Sequence, residues 1–86
     1  NTNGSILLDV RTKEEYSGGH IPGSINIPLQ EISRVGKEIP DKSTPIYSYC
    51  LSGARSSQAI SCLRDMGYTA VTNIGGINRY SGSLER

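Results

Sequence analysis

Short apolar runs alternate with segments of helical spacing along this chain, and that alternation narrows its fold more than any other feature. Residues 5–10, SILLDV, form a continuous run of branched side chains, too short for a core helix, and read as a strand buried on both faces. STPIYSYC (43–50) and TAVTNI (69–74) read as two further strands, and HIPGSINIP (20–28) as a turn plus a short strand. Between them, Thr12 and Glu15 have capping-box spacing, and Gly18 and Gly19 are a stop signal. Leu29, Ile32, Val35 and Ile39 predict an amphipathic helix over 29–39, ending before Pro40. RSSQAISCLRDMGY (55–68) predicts a stronger helix, with Ala59, Ile60, Leu63 and Met66 on its inner face and Gly67 as its C-terminal cap. Gly75 and Gly76 read as a turn, and residues 77–86 as a weak final helix or a tail.

Strands alternating with helices define an α/β unit with a mainly parallel sheet. In 86 residues there is room for one small domain, and with no Trp or Phe its core must come from aliphatic side chains and tyrosines. The crevice of such a sheet lies beyond the carboxyl ends of its strands. Two stretches fall there: Cys50, and Asp9-Val10-Arg11.

Lys and Arg (9) nearly balance Asp and Glu (8), for a formal charge of +1, and the basic residues are scattered singly. That pattern argues against nucleic acid as a partner. No apolar run approaches the roughly 20 residues that span a bilayer, so no membrane partner is expected, and there is no signal-peptide pattern. Cys50 and Cys62 are too few for a disulfide framework, and neither their spacing nor the single His suits a metal, so neither metal nor cofactor is expected. A reducing compartment, the cytoplasm, is the default expectation. The chain begins with Asn1 rather than Met, which fits a domain excised from a longer chain or a processed, periplasmic mature form.

Cys50 follows a strand and precedes a Gly-containing loop, with a helix expected to be under way by about Ser56. A tight loop feeding a helix N-terminus turns successive N–H groups inward, forming a nest that favours an anion at its centre. A cysteine sulfur placed there would be held as a thiolate without an adjacent histidine. The alternative is a small buried hydrophobe, since free cysteine is among the most buried residue types. Loop length separates chemistries. Cysteine phosphatases place five residues between Cys and Arg, whereas Cys50 and Arg55 have four between them, a tighter ring suited to one sulfur atom.

CLSGARSS (50–57) resembles the active-site loop of the rhodanese family of sulfurtransferases, and the resemblance extends over most of the chain. LLDVRTKEEYSGGHIPGSINIP (7–28) is similar to the family's first signature, through Asp9, Arg11, Glu15, Tyr16, Gly19, His20, Ile21, Gly23, Ser24, Asn26 and Pro28. MGYTAVTNIGGINRY (66–80) resembles the second, with Tyr80 where tryptophan is common. Glu14 and Glu15 stand where double-domain thiosulfate enzymes carry a substrate-binding arginine, an acidic pattern shared with single-domain bacterial members.

The resemblance implies one rhodanese-like domain over 1–86, with a three-layer α/β/α fold around a mainly parallel sheet. It implies that Cys50 takes sulfur from thiosulfate, a thiosulfonate or a persulfide, carries it as a persulfide, and passes it to a thiol, to cyanide or to a protein acceptor. The backbone N–H groups of Leu51, Ser52, Gly53, Ala54, Arg55 and Ser56 would line the nest. Arg55 would either raise the positive potential near the sulfur or fix the loop by pairing with Glu15 or Asp9. Ser56 reads as a helix cap in preference to a proton donor. Asp9 and Arg11 read as an ion pair locking the strand-to-helix turn, with Glu15 in support. His20 reads as structural, and Cys62 as a helix residue half in the core in preference to a resolving thiol. The competing functions are a persulfide-relay domain of a larger protein, a phosphatase or arsenate reductase (disfavoured by the short loop), and a silent binding module, which normally loses the cysteine.

Overall fold

The structure, a computed structural model, describes residues 4–86; Asn1 and the two residues after it lie outside the described residues. Four strands alternate with helical segments: β1 (Ile6–Asp9), α1 (Lys13–Ser17), β2 (Ile25–Asn26), a 3-10 segment (Leu29–Arg34), α2 (Val35–Glu38), β3 (Ile46–Cys50), α3 (Ala54–Asp65), β4 (Val71–Gly76) and a last 3-10 turn (Ile77–Arg79). All strand pairs are parallel, in the order β2-β1-β3-β4. This is the α/β domain with a parallel central sheet that the alternation predicts. The order puts β1 and β3 side by side at the centre, with Asp9 opposite Tyr49 in register. The two candidate stretches therefore emerge next to one another.

Residues 46, 48 and 50 of β3 alternate with 47 and 49 between the two sheet faces. Ile46 and Cys50 join Leu8, Val10, Ile27, Val35, Ile39, Ala59, Ile60 and Leu63 in the buried core, which α3 and the 29–38 segment cover. The expected inner face of α3 is as read, with Met66 partly buried against the same cluster. On the opposite face Tyr47 is 40% exposed, while Tyr49 is buried. There Tyr49 Oη accepts from the Ile21 N–H (3.1 Å) and lies 3.1 Å from Ser24 Oγ, beneath the turn that leads into β2.

Three boundaries differ from the sequence reading. The 29–39 helix is a 3-10 segment broken at Glu31 (φ −113°, ψ 22°) followed by four α-helical residues. Leu29, Ile32 and Val35 recur every three residues, which is the period of a 3-10 helix, so one apolar face serves either form. Pro28 offers no side-chain cap, and Ile39, before Pro40, leaves helical geometry at φ −130°. Helix α3 begins at Ala54, earlier than expected, because Gly53 turns the chain in one residue at φ +103°. At its other end Gly67 (φ +104°) lies just past the cap residue Met66; the N–H groups of Gly67 and Tyr68 donate to the carbonyls of Arg64 and Leu63, a Schellman closure.

The third difference concerns Gly75 and Gly76, which extend β4 and do not form a turn. Ser48 pairs with Asn73 but Tyr49 pairs with Gly75, so Ile74 is an inserted residue and the strand bulges there, with Gly75 at φ +98°. The bulge carries β4 far enough to lie against the loop after Cys50. A Cβ on Gly76 would collide with the Leu51 carbonyl oxygen and stand 2.7 Å from the Cα of Ser52. After the last 3-10 turn the tail has no further helix, and Glu85 exchanges two backbone hydrogen bonds of 2.8 Å with His20.

Gly76→Ala is expected to force that contact apart. Overpacking of this kind costs about 1–3 kcal/mol, so thermal unfolding should fall by roughly 5–15 °C for a domain of this size. A melting temperature equal to wild type would show that the approach is not tight.

Candidate active site

Cys50 closes β3 and is 1% exposed. Its Sγ accepts two backbone hydrogen bonds, from the Gly53 N–H at 2.9 Å and the Ser56 N–H at 3.3 Å. The first four N–H groups of a helix lack intrahelical partners, and a side-chain acceptor normally takes the N–H of the second or third residue. Gly53, in the cap position of α3, has no side chain to offer. The sulfur of Cys50 fills that role, bonding to the third residue of the helix, Ser56. The loop is thus wound around the thiol by the helix it introduces.

Of the six predicted nest residues, Gly53 and Ser56 place their N–H groups on the sulfur. Leu51 and Ser52 are exposed, and Ala54 and Arg55 form the first turn of α3. Ser56 does not cap the helix: it is the third helical residue, and its Oγ is buried without a hydrogen-bond partner. The expectation failed because Gly53 turned the chain early enough to make Ser56 interior.

Arg55 takes the ion-pair alternative with Glu15, through Nη1–Oε1 at 2.7 Å and Nη2–Oε2 at 3.0 Å. The same Glu15 completes the expected capping box. The Thr12 N–H donates to Oε1 at 2.9 Å, and the Glu15 N–H donates to Thr12 Oγ1 at 3.1 Å. One carboxylate therefore fastens the start of α1 to the start of α3. The hydrogen-bonded Arg55 guanidinium is the main reason that the Glu15 carboxyl is lowered from 4.5 to about 2, with the Thr12 N–H adding to it. Arg55 is raised in turn, chiefly by its hydrogen bonds to the Glu15 carboxylate.

Asp9 and Arg11 form the structural pair that their positions suggest. Asp9 is fully buried, and its carboxylate accepts from the Arg11 N–H (2.8 Å), Nε (3.1 and 3.0 Å) and Nη2 (2.8 Å). Arg11 Nη2 also donates to the Gly19 carbonyl at 2.7 Å, so the pair ties the end of β1 to the turn after α1. Asn26 Nδ2 bridges the carbonyls of Asp9 and Arg11 at 3.0 Å each. His20 is held likewise, stacked on Tyr16 with ring centroids 3.7 Å apart, its Nδ1 2.9 Å from the Tyr16 carbonyl. Cys62 is half-buried on α3, as expected.

Sequence reasoning missed two contributors. Tyr49 carried no separable signal, yet its buried hydroxyl holds the Ile21–Ser24 turn. Asn73 was passed over within a strand, yet its Oδ1 accepts from the Gly75 N–H (2.8 Å) and its Nδ2 donates to the Gly53 carbonyl (3.1 Å). The available signal was Asn two residues before a glycine, the spacing of an Asx turn.

The small α/β domain built on a parallel sheet is shared by known proteins of similar sequence and structure. The Rhodanese-like domain family matches residues 1–83, and the chain belongs to that family. It is 45% identical over 71 residues to thiosulfate sulfurtransferase PspE of Escherichia coli, covering 81% of this chain and 68% of that protein. It is 40% identical over 80 residues to adenylyltransferase and sulfurtransferase uba4 of Ogataea parapolymorpha, covering 92% of this chain but only 21% of the larger protein. The solved structure of a rhodanese with anions from E. coli superposes with a TM-score of 0.88 at 38% identity, covering 95% of this chain and 98% of that one.

The folded form favours the ionised Glu15, so the stability this gives is complete above about pH 4.5 and is lost as pH falls towards 2. Both partners are about one-third exposed (34% and 31%), so solvent screening reduces the effect. Wild type should exceed Glu15→Gln by about 1 kcal/mol in unfolding free energy at neutral pH, and the gap should close between pH 4.5 and 2. A gap that does not vary with pH would show that the ion pair is not its source.

Proposed function

We propose that the protein is a sulfurtransferase that carries sulfane sulfur on Cys50. The observation that carries this reading is the pair of backbone N–H groups, from Gly53 and Ser56, directed at Cys50 Sγ. They stabilise a sulfur anion without a general base, and His20 is already engaged with Tyr16. Membership of the rhodanese-like family, and relatives named as sulfurtransferases, support the same chemistry.

With thiosulfate as donor, the Cys50 thiolate attacks the outer sulfur. The S–S bond of thiosulfate breaks, its electron pair leaves with sulfite, and Cys50 holds a persulfide anion. Cyanide carbon, or an acceptor thiolate, then attacks the outer sulfur of that persulfide. The bond to Sγ breaks and its electron pair returns to Cys50, releasing thiocyanate or a new persulfide. No net oxidant or reductant is needed, and the two half-reactions share one enzyme form, which gives ping-pong kinetics. Because Cys50 is buried, a donor must present a slim terminal sulfur; thiosulfate, thiosulfonates and persulfides all do. The residues proposed to serve are Cys50 as nucleophile, Gly53 and Ser56 as donors to it, the rest of the 51–56 loop as donors to the outer sulfur, and Arg55 as a nearby positive charge. Asp9, Arg11 and Glu15 hold the surrounding turns.

A second reading has the domain relay sulfur to a protein acceptor within a larger assembly. The match to one-fifth of the yeast protein favours it. The residues and the first half-reaction are the same, and only the acceptor differs. The cytoplasm is the proposed location.

Intact mass after incubation with thiosulfate tests the reading. Wild type should gain about 32 Da, a gain that cyanide removes, and Cys50→Ser should gain nothing. Loading that fails with thiosulfate, thiosulfonates and persulfides alike would overturn it.

A further inference from the structure

Gly53 is held at both ends of its residue. Its N–H lies on Cys50 Sγ at 2.9 Å, and its carbonyl accepts from Asn73 Nδ2 at 3.1 Å as well as from the Ser57 N–H at 3.0 Å. The Ser57 bond is the ordinary first bond of α3. The Asn73 bond comes from outside the helix, across twenty residues of sequence, and ordinary helix formation does not require it. We propose that Asn73 is a positioning residue for Cys50. It acts through Gly53, and it rests on the reading of Cys50 as the sulfur carrier.

The geometry allows one orientation of the Asn73 amide. The Gly75 N–H must meet an acceptor and the Gly53 carbonyl must meet a donor, so Oδ1 faces the first and Nδ2 the second. With Oδ1 the side chain shapes the bulge that sets Gly75 at φ +98°. With Nδ2 it reaches the loop that the bulge has brought close. A Cβ on Gly53 would sit 3.4 Å from the Gly75 Cα, so the two backbones are in contact at this point. Gly53 itself is at φ +103°, and a glycine free to leave that conformation would swing its N–H off the sulfur. The only side chain that grips its carbonyl, among the described hydrogen bonds, is Asn73. Asn73 is exposed, so its place in the strand is not explained by burial.

Three proteins test the inference: Asn73→Ala, Asn73→Ser and, as a control, the exposed neighbour Thr72→Ala. The serine hydroxyl can still accept from the Gly75 N–H in the manner of an ST turn, but it is too short to reach the Gly53 carbonyl. The readouts are the rate of Cys50 alkylation by iodoacetamide at pH 7, single-turnover sulfur loading from thiosulfate, and thermal unfolding. Both Asn73 variants should be alkylated and loaded about tenfold more slowly, with KM for thiosulfate unchanged, as expected for one lost oriented hydrogen bond. Asn73→Ser should melt near wild type, separating the grip on Gly53 from the shape of the bulge. Thr72→Ala should match wild type throughout. Alkylation of both Asn73 variants within twofold of wild type would overturn the inference. So would slowing that follows the melting temperature, present in Asn73→Ala and absent in Asn73→Ser. Alkylation does not depend on sulfur transfer, so it decides the role of Asn73 even if thiosulfate fails to load wild type.

Discussion

The site stands on a contact between two backbones, where the end of β4 meets the loop after Cys50 too closely for any side chain. Gly76 lies against the Leu51 carbonyl and the Ser52 Cα, and Gly75 faces Gly53. That contact is possible because Ile74 is inserted as a bulge and the glycines follow it. Pressed from this side, the chain reverses at Gly53 and enters α3 at once. The reversal leaves the helix without a capping side chain, and the helix takes the cysteine sulfur as its cap. The bond from Ser56 N–H to Sγ thus belongs to the fold as much as to the site. Replacing the sulfur by a group that accepts poorly would leave a helix donor unpaired, so the proposed nucleophile is also part of what fixes the loop.

A second set of restraints is ionic. At the carboxyl end of β1, both oxygens of the Asp9 carboxylate accept from Arg11, and the network extends to Gly19 and Asn26. A buried pair of this kind costs desolvation and yields little net stability, but losing one partner leaves a buried charge, at about 3–5 kcal/mol. Its contribution is therefore to fix one geometry for the turn into α1. That turn carries Thr12 and Glu15, and Glu15 reaches across to Arg55 on α3. The Arg55–Glu15 pair, about one-third exposed, is the adjustable member of the set. Arg55 and Glu15 offset each other's charge beside the loop, so in the proposed site the groups that meet Sγ directly are the amides of Gly53 and Ser56.

Much of this was legible in the sequence, for identifiable reasons. The capping box at Thr12 and Glu15 and the C-terminal glycine at 67 each follow from short-range chemistry that a few neighbouring residues decide. The apolar periods of β1, β3 and α3 are strong because those elements are buried on a full face. The 29–39 segment was misread in form but not in facing, since spacings of three suit a 3-10 helix as well as an α-helix. The role of Gly75 and Gly76 was hidden because a glycine pair read locally means a turn. Its actual meaning depends on a loop some twenty-five residues away in sequence. Ser56 failed for the same reason. A serine near a helix start reads as a cap, until a tertiary contact starts the helix three residues earlier.

The two hydrogen bonds on Sγ also bias the proposed cycle. In the thiolate, the negative charge rests on Sγ, where Gly53 and Ser56 meet it. In the persulfide, Sγ becomes a bridging atom and the charge moves outward, so these bonds weaken. Taken alone, they set the equilibrium of loading against the persulfide even as they orient Sγ for the attack, and they favour release, because Sγ is the leaving group when an acceptor attacks the outer sulfur. Under the proposed reading, net carriage of sulfur therefore requires the remaining loop amides to meet the outer atom, a demand that the four-residue spacing between Cys50 and Arg55 suits. In the proposed cycle, a site balanced in this way would store sulfur without trapping it. The same balance serves turnover with a small acceptor and hand-off to a protein thiol, since in both the departing group is the helix-capped thiolate of Cys50.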